Sequence, residues 1–355
     1  MTVNATQGGI ANKTLDSLRF AKHAWQLIFA VLNFLVSGRS SAAGFRAMLW
    51  LHCRTNGTST ALIIPLLGVF RPRVSIARND RADMWGDLSS QEKAKLVSEL
   101  ESEGCSILPQ ALSEEVCQRL RMFAKTTAAN PWDANGGIHD KEIYDPDHKF
   151  FAKYQFDAED LVAHPDIQAL IATPTLLEIV QNHLGCAPIL DEVNMWWSLR
   201  AETSSSEIAQ QFHFDFDRTK WVKVFFYLTD VHADTGPHVY VRHSHKREAR
   251  RAPLFKRGYV RISDSDIGKV YGTDEVVEIY GDAGTALFVD TSGFHKGKPP
   301  SKDNRLILEL QFSNCSLGAT YPSVGLHSAT SESLRNAVLA YPQIYRQLSI
   351  DPRQD

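Results

Sequence analysis

The chain has 355 residues, of which 43% are hydrophobic and 22% charged, with a formal net charge of −3. These values suit a globular protein with a sizeable core, and the near-neutral balance excludes a global field drawing nucleic acid or an anionic membrane. Five scattered cysteines (Cys53, Cys105, Cys117, Cys186 and Cys315) form no CxxC pair, which excludes a disulfide framework and suits reduced thiols in a cytoplasmic compartment.

Residues 1–85 differ from the rest. Residues 24–36 form an apolar run of 13, broken only by Gln26 and Asn33. As a helix this run spans roughly 20 Å, short of the ~30 Å hydrocarbon core. It is predicted to dock on protein or to make peripheral contact with a membrane surface, and not to span a bilayer. Lys13, Arg19 and Lys22 precede the run and small residues follow it, as in a signal peptide, but the leading segment is long and holds Asp16. Further apolar patches lie at 47–51 and 61–70.

A capping box at Ser89 predicts a helix ending at Gly104, with a short strand at 105–108 beyond it. Ser113 opens a second helix to about Thr126. Residues 129–158, rich in Asp, Asn, Gly, Pro and Tyr, read as a long loop, and 175–184 as a helix. Strands are then predicted at 195–199, 211–216, 221–228, 238–241, 276–280, 285–289 and 305–312, separated by turn signals such as Gly281-Asp282-Ala283-Gly284. Helices followed by many short strands imply an α+β class with a two-sheet barrel or jelly roll. The expected organisation is a helical N-terminal extension (1–85), a barrel domain (86–320) and a C-terminal helical tail (321–355).

In an extended 211–217, Gln211, His213, Asp215 and Asp217 share one face, and Phe212, Phe214 and Phe216 the other. A second imidazole, His295, arrives 80 residues on from Asp215. Two His and one carboxylate are the set that holds non-haem Fe(II) with coordination positions left open. The alternative is a solvated face of an edge strand. Arg305 begins a strand whose Leu306, Leu308, Leu310 and Phe312 face one way, packing under the N-terminal helices, while Arg305, Ile307, Glu309 and Gln311 face the barrel interior. A buried guanidinium needs a partner, and a bidentate carboxylate suits it. That carboxylate is either a cosubstrate such as 2-oxoglutarate or an internal acid, Glu309 or Asp217.

The runs from Gln211 to Lys246 and from Gly281 to Arg305, together with the opening Glu103-Gly104-Cys105-Ser106-Ile107-Leu108-Pro109, resemble the phytanoyl-CoA dioxygenase family of Fe(II)/2-oxoglutarate oxygenases. The resemblance covers roughly residues 90–315. It implies a double-stranded β-helix, a jelly-roll or cupin-like barrel. It carries over His213, Asp215 and His295 as iron ligands and Arg305 as the clamp on 2-oxoglutarate. With O2 as the further cosubstrate, it implies hydroxylation of a small-molecule or acyl substrate, with release of succinate and CO2. Related halogenases lack the carboxylate ligand, so Asp215 argues for hydroxylation. Two positions depart from the family. His243 stands where the family has Gly before Ser-His, which implies an unusual backbone conformation. Gly297 stands where a hydroxyl residue often helps to hold 2-oxoglutarate.

The rival readings are a jelly-roll metalloenzyme that uses no cosubstrate and an inactive, membrane-docked binding protein. His243 and His245 are weaker ligand candidates, and His232 and His238 read as surface or loop residues. Between Lys246 and Arg261 lie seven positive charges and one negative, which suggests an anionic substrate or a solvated loop. Trp196, Trp197 and Trp221 are candidates for either a pocket wall or the core.

Overall fold

The computed structural model describes residues 4–76, 84–85, 88–200, 209–250, 252–326 and 330–350, with side chains from residue 16 onward. Three helices come first: α1 (Asn4–Ser37), α2 (Ala42–Arg54) and α3 (Thr58–Val69). α4 (Ser90–Glu103) begins and ends as its sequence dictates, with Ser89 and Glu92 closing a capping box and Gly104 leaving the helix at φ 91°. β1 (Cys105–Leu108), α5 (Glu114–Thr126), β2 (Ala128–Asp133), β3 (Glu142–Ile143) and β4 (Phe151–Gln155) follow, then α6 (Ala158–Ala163), α7 (Pro165–Ile171) and α8 (Pro174–Leu184). The later strands are β5 (Ile189–Ser198), β6 (Trp221–Tyr227), β7 (His238–Val241), β8 (Val276–Ile279), β9 (Ala286–Val289), β10 (His295–Gly297) and β11 (Arg305–Ser313).

One antiparallel sheet has eight strands in the order β1-β9-β6-β11-β5-β4-β2-β3, and a second has three, β10-β7-β8. Every residue of β11, which pairs with both β5 and β6, is buried. Its leucine face packs as predicted by parity, but on different helices. Leu306, Leu308, Leu310 and Phe312 share a core with Leu100 of α4, Leu120 of α5 and Leu177 of α8. The N-terminal helices lie elsewhere: Leu27, Met48, Leu51 and Leu67 pack with Phe212, Phe214 and Phe216. α1 and α2 approach so closely that a Cβ on Gly44 would lie 2.3 Å from the Ala30 Cβ.

Four expectations are corrected. Residues 129–158 are not one loop, because β2, β3 and β4 lie within or across them. The buried alternation of Ala152 and Tyr154 was hidden among turn-forming residues. Residues 211–216 form no continuous ladder and are held by isolated bridges, Phe212 to Ile262 and His213 to His295. The C-terminal segment is only partly helical: a helix at Glu332–Ala340 is flanked by the parallel pair β12 (Val324–Leu326) and β13 (Leu348–Ile350). Finally, α1 outruns its apolar stretch. Asp16–Ser37, with 22 residues, is long and apolar enough to cross a membrane, so the predicted shortness does not hold.

His183, in the last turn of α8, is buried with neither ring nitrogen hydrogen-bonded. Burial, aided by the charge of Lys220, pulls its pKa from 6.5 to about 3. The unfolded chain therefore takes up this proton below about pH 6.5 while the folded chain resists it. Stability from this group is complete above that value and is lost as pH falls toward 3. Denaturant titrations of metal-free protein between pH 6 and 4 should show His183→Leu removing roughly 1.4 kcal/mol per pH unit from the slope of stability.

Candidate active site

The segment before β6 reaches the site through backbone pairing. The His213 amide donates to the His295 carbonyl (3.0 Å), and the His295 amide returns the bond to His213 (2.8 Å). Asp215 donates its amide to the Thr291 carbonyl at 2.7 Å. Phe212, Phe214 and Phe216 fill the core beneath the N-terminal helices. His213 and Asp215 consequently face a cavity of about 290 Å³ between the two sheets, where His295 also points. Gln211 and Asp217, placed on the same face by strict alternation, do not line it. Gln210 does.

The three side chains offer donor atoms all within 4.8 Å of one another. His213 Nε2 lies 3.6 Å from Asp215 Oδ1, and His295 Nε2 lies 3.6 Å from Asp215 Oδ2. Each imidazole bonds a backbone carbonyl through Nδ1, His213 to Gln211 (2.9 Å) and His295 to Gly293 (3.0 Å). A carbonyl only accepts, so Nδ1 carries the proton in both rings and Nε2 presents its lone pair to the cavity. Burial lowers the pKa of His213 to about 3 and also lowers that of His295, so both rings are neutral near pH 7. Burial alone would raise Asp215. Lys223 Nζ, 3.0 Å from Oδ2, outweighs it and holds the carboxyl below its ordinary value. Two neutral imidazoles and an ionised carboxylate suit a divalent iron.

Arg305 enters the same cavity from the start of β11. Only 4% of the residue is exposed. Its Nη2 donates to Ser198 Oγ at 3.3 Å, while Nε and Nη1 have no partner among the described residues. The internal acids considered as alternatives do not serve it. Glu309 sits 3.5 Å from Lys223, and Asp217 lies outside the cavity. Burial lowers the Arg305 pKa to about 10, which leaves the group charged at neutral pH. A charged, buried fork with two unused donors fits a carboxylate ligand. Trp196, Phe225 and Ile307 wall this end of the cavity.

Other expectations fared unevenly. Among the described basic residues from Lys246 to Arg261, only Arg261 lines the cavity. Arg257 pairs with Asp266 (2.7 Å), and Arg250 lies in a separate hollow with His52 and Asp290. His243 has φ 64°, the left-handed conformation implied by its glycine-like position, and faces Glu103 and Glu275. His245 turns to the Glu101 carbonyl. Trp196 is a pocket wall, while Trp197 and Trp221 are core. His238, read as a surface or loop residue, is buried in the cavity and stacks on His295 with centroids 5.5 Å apart. Lys153 and Lys223 were also missed. Lys153 Nζ lies 4.8 Å from the Trp196 ring centroid and 5.2 Å from that of Trp132, and burial lowers its pKa to about 8. Their signal was a lysine at an inward position of an otherwise apolar strand.

Lys223 balances Asp215 and Glu309 at once. Lys223→Met should leave both carboxylates buried without their cation and cost metal-free protein about 3–5 kcal/mol. A divalent ion supplies part of the missing charge. Thermal melts should therefore show a large loss of Tm in the variant, narrowed on adding Fe(II) under anaerobic conditions.

The family model for phytanoyl-CoA dioxygenase (PhyH) matches residues 100–306, more than half of the chain. That span contains His213, Asp215, His295 and Arg305. No curated protein matches the chain. Among solved structures, it is similar to the non-heme alpha ketoglutarate dependent epimerase SnoN from nogalamycin biosynthesis, with 15% identity over 63% of this chain and 84% of that one, at TM-score 0.45. The carbocyclase SnoK of the same biosynthesis is 16% identical over 64% and 84%, at TM-score 0.44. HygX from Streptomyces hygroscopicus, with nickel and 2-oxoglutarate bound, is 15% identical over 70% and 94%, at TM-score 0.42. The chain belongs to the phytanoyl-CoA dioxygenase family, whose members use Fe(II) and 2-oxoglutarate.

Proposed function

We propose that this oxygenase hydroxylates a small polar molecule, with His213, Asp215 and His295 holding Fe(II) and Arg305 holding the distal carboxylate of 2-oxoglutarate. The observation that carries the reading is the pairing, in one cavity, of a neutral His-carboxylate-His set with a buried guanidinium whose Nε and Nη1 are unpartnered. The cavity between two antiparallel sheets supports the double-stranded β-helix reading of the fold. It also supports a catalytic unit of residues 86–320, between an N-terminal extension and a C-terminal tail. Five free thiols support a reducing, cytoplasmic setting.

When bound, Fe(II) with 2-oxoglutarate and O2 supplies the oxidising chemistry, releasing succinate and CO2 as the substrate gains a hydroxyl. The protein's own residues orient and insulate that chemistry. Arg305 offers a planar fork of fixed direction, so the cosubstrate meets the metal in one pose. Backbone carbonyls keep the Nδ1 protons of His213 and His295, fixing both tautomers. Lys223 keeps Asp215 ionised, and as a ligand that carboxylate would occupy the position that halogenases leave open. Phe225, Ile307 and Trp196 exclude water around the cosubstrate end. Lys153, Gln155, Asn194, Glu192 and Arg261 also line the cavity and present both signs of charge, which supports a polar substrate over a purely anionic one.

A second anchor for 2-oxoglutarate is also proposed. A Cβ at Gly297 would lie 3.6 Å from Arg305 Nη2, so the missing hydroxyl residue leaves real space there. Gly297 pairs directly with His238 across the two strands. The His238 imidazole is buried in the cavity with Nε2 unpartnered. We assign it, with the Ser198 hydroxyl, the role that a hydroxyl at position 297 would play.

His295→Ala should abolish stoichiometric Fe(II) binding and succinate release. Arg305→Lys should keep iron but weaken 2-oxoglutarate about ten- to a hundredfold, since losing a hydrogen bond to a charged group costs roughly 1.5–3 kcal/mol. Anaerobic titrations of each ligand separate the two; lost iron with unchanged 2-oxoglutarate affinity in Arg305→Lys would sink the clamp. His238→Leu should weaken 2-oxoglutarate about tenfold, and adding Gly297→Ser to that variant should recover most of the loss. Unchanged affinity in His238→Leu removes this residue from the site.

A further inference from the structure

The net charge of −3 conceals a strong segregation. Residues 17–73 contain no Asp or Glu but hold seven basic residues, Arg19, Lys22, Arg39, Arg46, Arg54, Arg71 and Arg73. Taking +7 from −3 leaves −10 on the rest of the chain. The same segment carries large exposed apolar side chains. On α1, Trp25 is 69% exposed, Phe29 74% and Val36 91%, with Ile28 and Leu32 beside them. Their spacing marks one helical face. The opposite face, Leu27, Ala30 and Val31, is buried. On α3, Leu62, Leu66 and Val69 repeat the pattern and stand exposed, while Leu67 is buried.

The two helices adjoin on their inner sides. Phe34 and Leu35 of α1 line one hollow with Leu67 and Phe70 at the end of α3, and Arg71 borders it. Toward the other end of α1, Phe20 and His23 lean on Trp50, at 6.3 and 4.5 Å between centroids. Trp50 in turn lines a hollow with Arg46, Arg54, Lys256 and Arg257, and no carboxylate lines it.

Exposed apolar helix faces of this extent mark an interaction surface. Its charge selects the occupant. A second copy would present the same predominantly cationic helices, in which Asp16 of α1 already lies 3.8 Å from Arg54, so like charges would meet. A spanning helix would have to give up the buried Leu27, Ala30 and Val31 and the close contact at Gly44. We propose that α1 and α3 form a docking face that seats the protein on the surface of an anionic lipid bilayer. Trp25, Phe29, Leu32, Leu66 and Val69 reach the acyl boundary, and the surrounding Arg and Lys meet the headgroups. Tyr259 lines both the basic hollow and the catalytic cavity, so one side chain separates the headgroup region from the site.

The test is co-flotation of the full-length protein with vesicles of phosphatidylcholine alone or of phosphatidylcholine with an equal amount of phosphatidylglycerol. The protein should float strongly only with the anionic vesicles. Lys22→Glu should weaken binding about fivefold or more, and Phe29→Asp with Val69→Asp at least ~tenfold. Wild-type tryptophan fluorescence should be quenched by brominated acyl chains, and less so in Trp25→Phe, a readout that needs no charge-changing variant. Failure to float with either vesicle, or flotation and quenching that the variants leave unchanged, overturns the proposal. So does a concentration-dependent dimer in light scattering that the same variants break, which assigns the face to a second copy. Carbonate-resistant retention in membranes would instead make α1 a spanning helix.

Discussion

A carboxylate confined between two sheets is stable only if something holds its charge, and in this protein that something is the Lys223 ammonium. It lies 3.0 Å from Asp215 and 3.5 Å from Glu309. Without it, burial would push both acids toward their neutral forms, and a neutral Asp215 offers a metal far less. Lys223 stands on β6, which pairs with β9 on one side and β11 on the other. The strand carrying the counter-charge therefore adjoins the strand carrying Arg305. Geometry and electrostatics of the site rest on the same pair of strands.

That arrangement works because each strand separates its two faces. β11 sends Leu306, Leu308, Leu310 and Phe312 into the core under α4, α5 and α8, and Arg305, Ile307 and Glu309 into the cavity. The segment around His213 does the same with Phe212, Phe214 and Phe216 on its far side. The cavity thus has an apolar layer behind it on both sides. Polar groups at its centre are held by backbone geometry rather than by flexible loops, which preserves their directions.

Alternation of side chains made His213, Asp215 and Arg305 legible from the sequence, and the trailing imidazole did the same for His295. Caps were legible too, since Ser89, Glu92 and Gly104 act on neighbours within one helical turn. What escaped was non-local. His238 counts as a cavity residue only because β7 pairs with β10, which places it beside His295 and opposite Gly297. Lys153 depends on Trp132 and Trp196, which come from two other strands. The leucine face of β11 was read correctly but assigned to the wrong helices, because parity says that a face is buried and not what covers it. The segregation of charge along residues 17–73 was invisible in a net value near zero.

The mutual backbone pair between His213 and His295 has a consequence for metal choice. The two imidazoles are set opposite each other by two amide bonds of 3.0 and 2.8 Å, and Asp215 is tied by its own amide to Thr291. These ties set the three donors through the backbone, so on the proposed assignment iron would meet a set already arranged. A prearranged set of two nitrogens and one oxygen cannot by itself prefer iron(II), because nickel, copper and zinc all bind such donors more tightly. On the proposed assignment, selecting the working metal would then fall to the supply of free ions rather than to the donor set.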